Sequence, residues 1–228
     1  MSFDFSDWTL VFDLDGTLVE TAPDLHSALN HTLAQKGLGP VTLDTIRMMI
    51  GDGAKAMIRK GLAHHDAPID HGEIDTELWP IFLDYYAANI TQHSAPFDAS
   101  MNCLADLKRS GATLAVCTNK AQGLAEQVLA GLELDHYFAA IVGGDELPVK
   151  KPDADHVLEA IARSSGDPSR AIMVGDSQTD EKAARNAGLP FVFVSFGYGT
   201  LSGLPYERIR SIDHWRDMQQ ALSQLAAL

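Results

Sequence analysis

Five compact apolar runs punctuate the chain: "WTLVFD" at 8–13, "TLAVC" at 113–117, "AAIVG" at 139–143, "AIMVG" at 171–175 and "FVFVS" at 191–195. Each is rich in Val, Ile, Leu or Phe, the pattern of strands buried on both faces of a parallel sheet. Helical patterns separate the last four runs, near 121–133, 153–164 and 179–188, and further helices near 99–110 and 214–226 flank the set. Strands alternating with helices predict a doubly wound α/β domain.

One interval breaks this rhythm. Residues 17–94 separate the first strand from the helix leading to the second and contain no convincing strand. "TAPDLHSALNHTLAQKG" reads as a helix opened by a capping box from Thr21 to Asp24, with Pro23 in its first turn and Gly37 at its end. Further helices fit 43–50, 53–63 and 73–92. The expected organisation is a core made of 1–16 and 95–228, with 17–94 inserted as an all-helical cap. Such a cap would sit over the sheet's C-terminal edge, where ligands of open α/β sheets bind.

With 228 residues, 46% of them hydrophobic, the chain can bury the core of one domain carrying an insertion. Its apolar runs fall short of the roughly 18 residues needed to cross a bilayer, and the acidic start "MSFDFSDW" lacks a signal peptide's basic flank. A cytoplasmic protein is expected. Cys103 and Cys117 lie in apolar surroundings without metal-type spacing and read as packing residues in a reducing compartment rather than a disulfide. The net charge of -14 argues against nucleic acid or an anionic membrane as partner, so an anionic substrate must be captured by local cations. Among nine histidines, His64, His65 and His71 cluster in "HHDAPIDH", but Pro68 and Gly72 make that stretch a solvated loop rather than a metal site.

The chemistry gathers at the strand ends. In "LVFDLDGTLVE" an apolar run delivers Asp13 and Asp15 and then turns at once on Gly16 and Thr17. Alternation puts both carboxylates on one face, where they repel each other unless a cation intervenes. The second run ends in Thr118-Asn119, the third leads into "GGDELPVKKPD", and the fourth ends in "GDSQTD". In an open sheet the crevice forms where strand order reverses, so these distant segments can converge. Three carboxylates, a hydroxyl and a lysine in one crevice suit a cation and a phosphate.

These motifs, "DLDGT" followed by Leu, "CTNK", Lys151-Pro152 and "GDSQTD", in that order, resemble the haloacid dehalogenase superfamily phosphatases with a helical cap over essentially the whole chain. The resemblance implies an aspartyl-phosphate mechanism on a small phosphate ester. Asp13 would be the nucleophile. Asp15 would protonate the leaving group and then activate water. Gly16 and Thr17 would wrap the phosphate with backbone N–H donors. Mg2+ would be held by Asp13, the backbone carbonyl of Asp15, and Asp176. Thr118 and Asn119 would hydrogen-bond the phosphoryl group, and Lys151, chosen over Lys150 because Pro152 follows it, would neutralise its charge. Asp180, supported by its neighbour Ser177, would orient Lys151 or a metal-bound water. Ala154 stands where many relatives have a second proline.

The segment "IGDGAKAMIRKGL" resembles the Gly-(Asn or Asp)-Gly-Ala loop of phosphoglycolate phosphatases, which makes 2-phosphoglycolate the leading substrate. Gly51, Asp52 and Gly53 form its corner, with Arg47 and Lys55 as flanking candidates for substrate binding, while Arg59 and Lys60 read as a solvated helix face. A sugar-phosphate phosphatase or a phosphomutase is the alternative, and a receiver domain would share the acidic cluster, Thr and Lys. Dehalogenation does without the Asp15 acid and the metal. A monomer or homodimer is expected.

Overall fold

The computed structural model describes residues 4–201 and 208–228; residues 1–3, which begin the acidic opening stretch, and 202–207 lie outside them. Six parallel strands form the sheet, in the order β5-β4-β1-β6-β7-β8. They are β1 (Thr9–Phe12), β4 (Thr113–Cys117), β5 (Ala140–Val142), β6 (Ala171–Gly175), β7 (Phe191–Val194) and β8 (Ile209–Ile212). Leu10 and Phe12 of β1 face one apolar cluster while Val11 faces the other. Both faces are therefore dry, as the unbroken apolar runs require. Helices α6 (Ser100–Arg109), α7 (Gln122–Gly131) and α10 (Met218–Ala226) cover the first face, and α8 (Ala154–Arg163) and α9 (Gln178–Asn186) the second.

The sixth strand was not foreseen. "IRSI" carries Arg210 and Ser211, tolerated because β8 is a sheet edge with no partner strand on its far side among the described residues. The other feature outside the expected pattern is a minimal ribbon, β2 (Val19–Glu20) paired antiparallel with β3 (Ala95–Pro96), too short to leave a periodic trace. It joins the two strands of chain that enter and leave the helical insertion.

That insertion holds α1 (Ala22–Ala34), α2 (Leu43–Arg47), α3 (Ala54–His64), α4 (His71–Glu73) and α5 (Trp79–Ala88) around a separate apolar cluster including Leu29, Ile46, Ile58, Phe82 and Tyr86. Between α4 and α5 the expected continuous helix widens into a π-helical turn, Ile74–Leu78. Pro80 in the next turn lacks the N–H that a regular ladder would use. The expected capping box at Thr21 and Asp24 does not form, because tertiary partners take both side chains. The Thr21 hydroxyl donates to Asp15 at 2.6 Å. Buried Asp24 accepts from the Ser94 hydroxyl (2.6 Å) and the N–H groups of His93 and Ser94, stitching the start of α1 to the returning chain.

The order of connections fixes where a ligand can go. From β1 the chain moves to β4 and β5 on one side, then crosses to β6, β7 and β8 on the other. The reversal lies beside β1, so the residues after β1, β4 and β6 meet in one crevice.

Candidate active site

Asp13 leaves β1 with its N–H donated to the Val174 carbonyl, so its side chain is aimed by the sheet itself (2.9 Å). The chain then reverses at Gly16, whose φ is +87° and where a Cβ would lie 2.5 Å from Asp176 Oδ2. Only glycine fits both the dihedral and the space. From the loop after β5, Lys151 sends its ammonium to Asp13 Oδ1 and Asp180 Oδ1, each at 2.7 Å. Asp180 is fixed in turn by a true capping box that opens α9: its Oδ2 accepts from Ser177 Oγ (2.6 Å) and Ser177 N, while Ser177 Oγ accepts from Asp180 N. One motif thus starts the helix and orients the lysine's partner.

Oxygens of Asp13, Asp176 and Asp180 lie within 4.8 Å of one another, all in buried residues. Burial pushes the Asp13 carboxyl up to about 7, with Lys151 opposing and Asp180 adding to the rise. Asp176 is raised well above the ordinary range by burial and by Asp180 and Asp13. Burial works against the Lys151 charge, but Asp13 and Asp180 outweigh it and hold the ammonium protonated. Lys151 pairs with two of these three carboxylates, so the ionised cluster carries more negative than positive charge. The donor set is all hard oxygen, without sulfur or imidazole, and fits a hard divalent cation.

Four parts of this arrangement escaped sequence reading. The stretch 197–199, read as a plain loop, donates the N–H groups of Tyr198 (2.6 Å) and Gly199 (3.3 Å) to Asp176 Oδ2. The Tyr198 hydroxyl accepts from Thr21 N (2.8 Å) and Ala22 N and donates to Glu20 Oε1 (2.9 Å), joining the core to the start of α1. His156, fully buried, accepts the Lys151 N–H at Nδ1 (3.1 Å), so its proton sits on Nε2 and is donated to the Gly143 carbonyl (3.0 Å). Burial, followed by the nearby Lys151 charge, lowers the His156 pKa to about 4. Finally, Lys120 of "CTNK" reaches Asp15 Oδ1 at 2.9 Å and Oδ2 at 3.1 Å.

A cavity of about 390 Å³ opens above this floor. Asp13, Asp15, Thr118, Asn119 and Lys120 line it from the core, and Gly51, Asp52, Gly53, Lys55, Arg59, Trp79, Phe82 and Tyr86 from the helical insertion. The corner touches the core directly: Asn119 Nδ2 donates to the Gly51 carbonyl (3.0 Å) and to the Lys151 carbonyl (3.1 Å), and Lys150 Nζ donates to the Asp52 carbonyl (2.7 Å). Gly53 has φ +90°, and a Cβ there would sit 3.1 Å from the Asn119 carbonyl oxygen. The Asn119 side-chain amide, expected to bond the phosphoryl group, instead spends its donors on the corner and on the Lys151 carbonyl. Thr17 is buried beneath the turn, its hydroxyl 3.4 Å from Asp176 Oδ1.

The basic residues of the insertion distribute otherwise than expected. Arg47 is not among the lining residues; its guanidinium faces Glu20 at 3.5 Å and Asp44 at 3.3 Å. Lys55 lines the cavity but pairs with Asp75 at 2.7 Å and lies over the Trp79 ring. Lys60 pairs with Asp52 at 2.8 Å. Arg59, read as solvated, is part of the cavity wall, because α3 turns that face toward the crevice.

Residues 10–194 match the model of the haloacid dehalogenase-like hydrolases. The chain is 49% identical over 195 residues to the phosphoglycolate phosphatase of Caulobacter vibrioides, covering 86% of this chain and 82% of that protein. It is 44% identical over 212 residues to the phosphoglycolate phosphatase of Agrobacterium fabrum, covering 93% and 91%. Its fold superposes on the crystal structure of a predicted phosphoglycolate phosphatase from Haemophilus somnus 129PT with a TM-score of 0.82, at 28% identity and with 95% and 97% of the two chains covered.

Proposed function

The chain belongs to the haloacid dehalogenase-like hydrolases, and from that membership we propose that it is a Mg2+-dependent phosphomonoesterase acting on 2-phosphoglycolate. The observation that carries the reading is the shared cavity floor: Asp13, Asp15 and Thr118 face one space, with Lys151 tied to Asp13 behind them. The catalytic part is 1–16 with 95–228, and 17–94 caps the leaving-group side. Free Cys103 and Cys117, both buried, accord with a reducing cytoplasm.

An Asp13 carboxylate oxygen attacks phosphorus, and the bond from phosphorus to the ester oxygen breaks as Asp15 gives that oxygen a proton. The products are free glycolate and an aspartyl-phosphate. Asp15, now ionised, takes a proton from water as the water oxygen attacks phosphorus, which releases inorganic phosphate and restores Asp13. Throughout, Lys151 and the Thr118 hydroxyl stabilise charge on the phosphoryl oxygens; the N–H groups of Gly16 and Thr17, expected to serve there, donate instead to the Val19 (2.9 Å) and Leu14 (3.3 Å) carbonyls and hold the turn closed. Asp180 and Ser177 keep the lysine in place. Asp13, Asp176 and the Asp15 carbonyl would hold Mg2+, which when bound would supply positive charge to offset the carboxylates and the phosphoryl oxygens.

A panel of small phosphate esters with Mg2+, scored as released phosphate, tests this. The highest kcat/KM is expected for 2-phosphoglycolate, with activity abolished by a chelator, restored by Mg2+ and restored poorly by Ca2+, whose larger and looser shell misplaces the nucleophile. Full turnover in chelator would mean that the carboxylate cluster has another purpose. Transfer of the phosphoryl group to a second hydroxyl without free phosphate would make the protein a mutase.

A further inference from the structure

If the substrate is a phosphate ester bearing a carboxylate, some cation must recognise that second anion, and the basic residues flanking the cap corner are mostly engaged elsewhere. Lys55 is paired with Asp75, Lys60 with Asp52, and Arg47 lies away from the cavity. The leaving oxygen, however, is located by chemistry: it must lie against Asp15 to receive a proton. In 2-phosphoglycolate a single methylene separates that oxygen from the carboxyl carbon. The carboxylate is therefore also delivered to the neighbourhood of Asp15.

The cation that touches Asp15 is Lys120. Its side chain is only 4% exposed, and two of its N–H groups serve the two Asp15 oxygens. The ammonium lies 4.7 Å from the centre of the Tyr86 ring, which reaches down from α5. Burial disfavours the Lys120 charge, but Asp15 outweighs it and holds the amine protonated. The Tyr86 hydroxyl is a further polar neighbour of the ammonium, though the two do not meet in ordinary hydrogen-bond geometry. Tyr86 supplies a second sign: its residue is wholly buried, it lines the cavity, and its hydroxyl, though near the Lys120 charge, makes no hydrogen bond of ordinary geometry among the described residues. A buried hydroxyl without a partner is costly unless a ligand completes it.

We infer that Lys120 Nζ and the Tyr86 hydroxyl together bind the substrate's carboxylate, one from the core and one from the cap, beside the acid Asp15. The inference rests on the phosphatase reading above and adds to it the residues that select an anionic leaving group. The cap then recognises substrate less by its own cations than by placing Tyr86 over a core lysine. A substrate lacking the carboxylate leaves the hydroxyl unpaired, and that is the physical source of selection.

The experiment compares kcat/KM for 2-phosphoglycolate with that for ethyl phosphate, in which a methyl group replaces the carboxylate. The ratio of the two is expected to fall about 10- to 100-fold in Lys120→Gln, the range of a lost charged hydrogen bond, and by about 3- to 10-fold in Tyr86→Phe. Because Lys120 also holds Asp15, absolute rates will drop for both esters, and the ratio is the diagnostic quantity. Tyr86→Phe removes one oxygen and keeps the ring, so it reports even if Lys120→Gln folds poorly. A wild-type ratio well above one that neither variant moves would overturn the assignment and leave the phosphatase reading intact; the same holds if the ratio falls only in Arg59→Ala. A wild-type ratio near one would overturn both.

Discussion

The floor of the crevice and the corner of the cap handle charge in opposite ways. On the floor Lys151 is 2% exposed at its side chain and shared between two buried carboxylates. At the corner Lys55 is 45% exposed, Lys60 39% and Arg47 37%, each paired locally near solvent. A buried pair broken on one side costs about 3–5 kcal/mol because the other charge is stranded, whereas an exposed pair contributes about 0–1 kcal/mol. Fixed charge therefore resides where bond making needs it, and the cap contributes shape, aromatic wall and a hydroxyl. The largest effect should follow a change on the floor. Asp13→Asn is expected to reduce kcat by about 10³-fold or more, since an amide is a poor nucleophile and a poor ligand for a hard cation. Circular dichroism should show a folded protein, and more than a few per cent of wild-type kcat would contradict the assignment of the nucleophile.

A second variant sharpens the contrast by striking the floor's support rather than its chemistry. His156→Phe removes the acceptor for the Lys151 N–H and the donor to Gly143, with an expected loss of about 1–3 kcal/mol at pH 7. The pH dependence gives the sign. The His156 pKa is lowered from 6.5 to about 4 on folding, by burial first and by Lys151 second. Between those values the unfolded chain binds a proton that the folded protein refuses, so the stability due to His156 is full above pH 6.5 and declines as pH falls toward 4. Phenylalanine cannot titrate. The gap between wild type and variant in urea melts should therefore narrow on acidification from pH 7 to 4, and a constant gap would show that the ring serves only as filling.

The floor was also the legible half. Apolar runs ending in Asp13, Thr118 and Asp176 declare both the buried strands and the groups at their ends, because a parallel sheet leaves its chemistry at one edge. The choice between adjacent lysines could be read from Pro152; Lys151 goes down to Asp13 while Lys150 goes up to the Asp52 carbonyl. What could not be read depends on distant partners. Thr21 and Asp24 have the spacing of a capping box, as Ser177 and Asp180 do, yet Asp15 and Ser94 claim them. Lys120 lies inside a recognised motif, but nothing local announces that Asp15 and Tyr86 will close around it. Strand β8 was hidden by its own arginine and serine at the sheet edge.

The smallest effects belong to the cap corner, where sequence reading expected the most specificity. Lys55 covers the Trp79 face with its ammonium 5.7 Å from the ring centre and answers Asp75, so its removal loosens one wall without withdrawing a cation aimed at the cavity floor. An exposed cation over an aromatic ring contributes about 0.5–1 kcal/mol. Lys55→Ala is accordingly expected to raise KM for 2-phosphoglycolate about two- to fivefold, and to raise that for ethyl phosphate by a similar factor. Arg47 pairs with Glu20 and Asp44 outside the cavity, and Arg47→Ala should change kcat/KM on either ester by less than about twofold. A selective loss on 2-phosphoglycolate in either variant, larger than that in Tyr86→Phe, would return substrate recognition to the corner and reverse the division of labour between floor and cap.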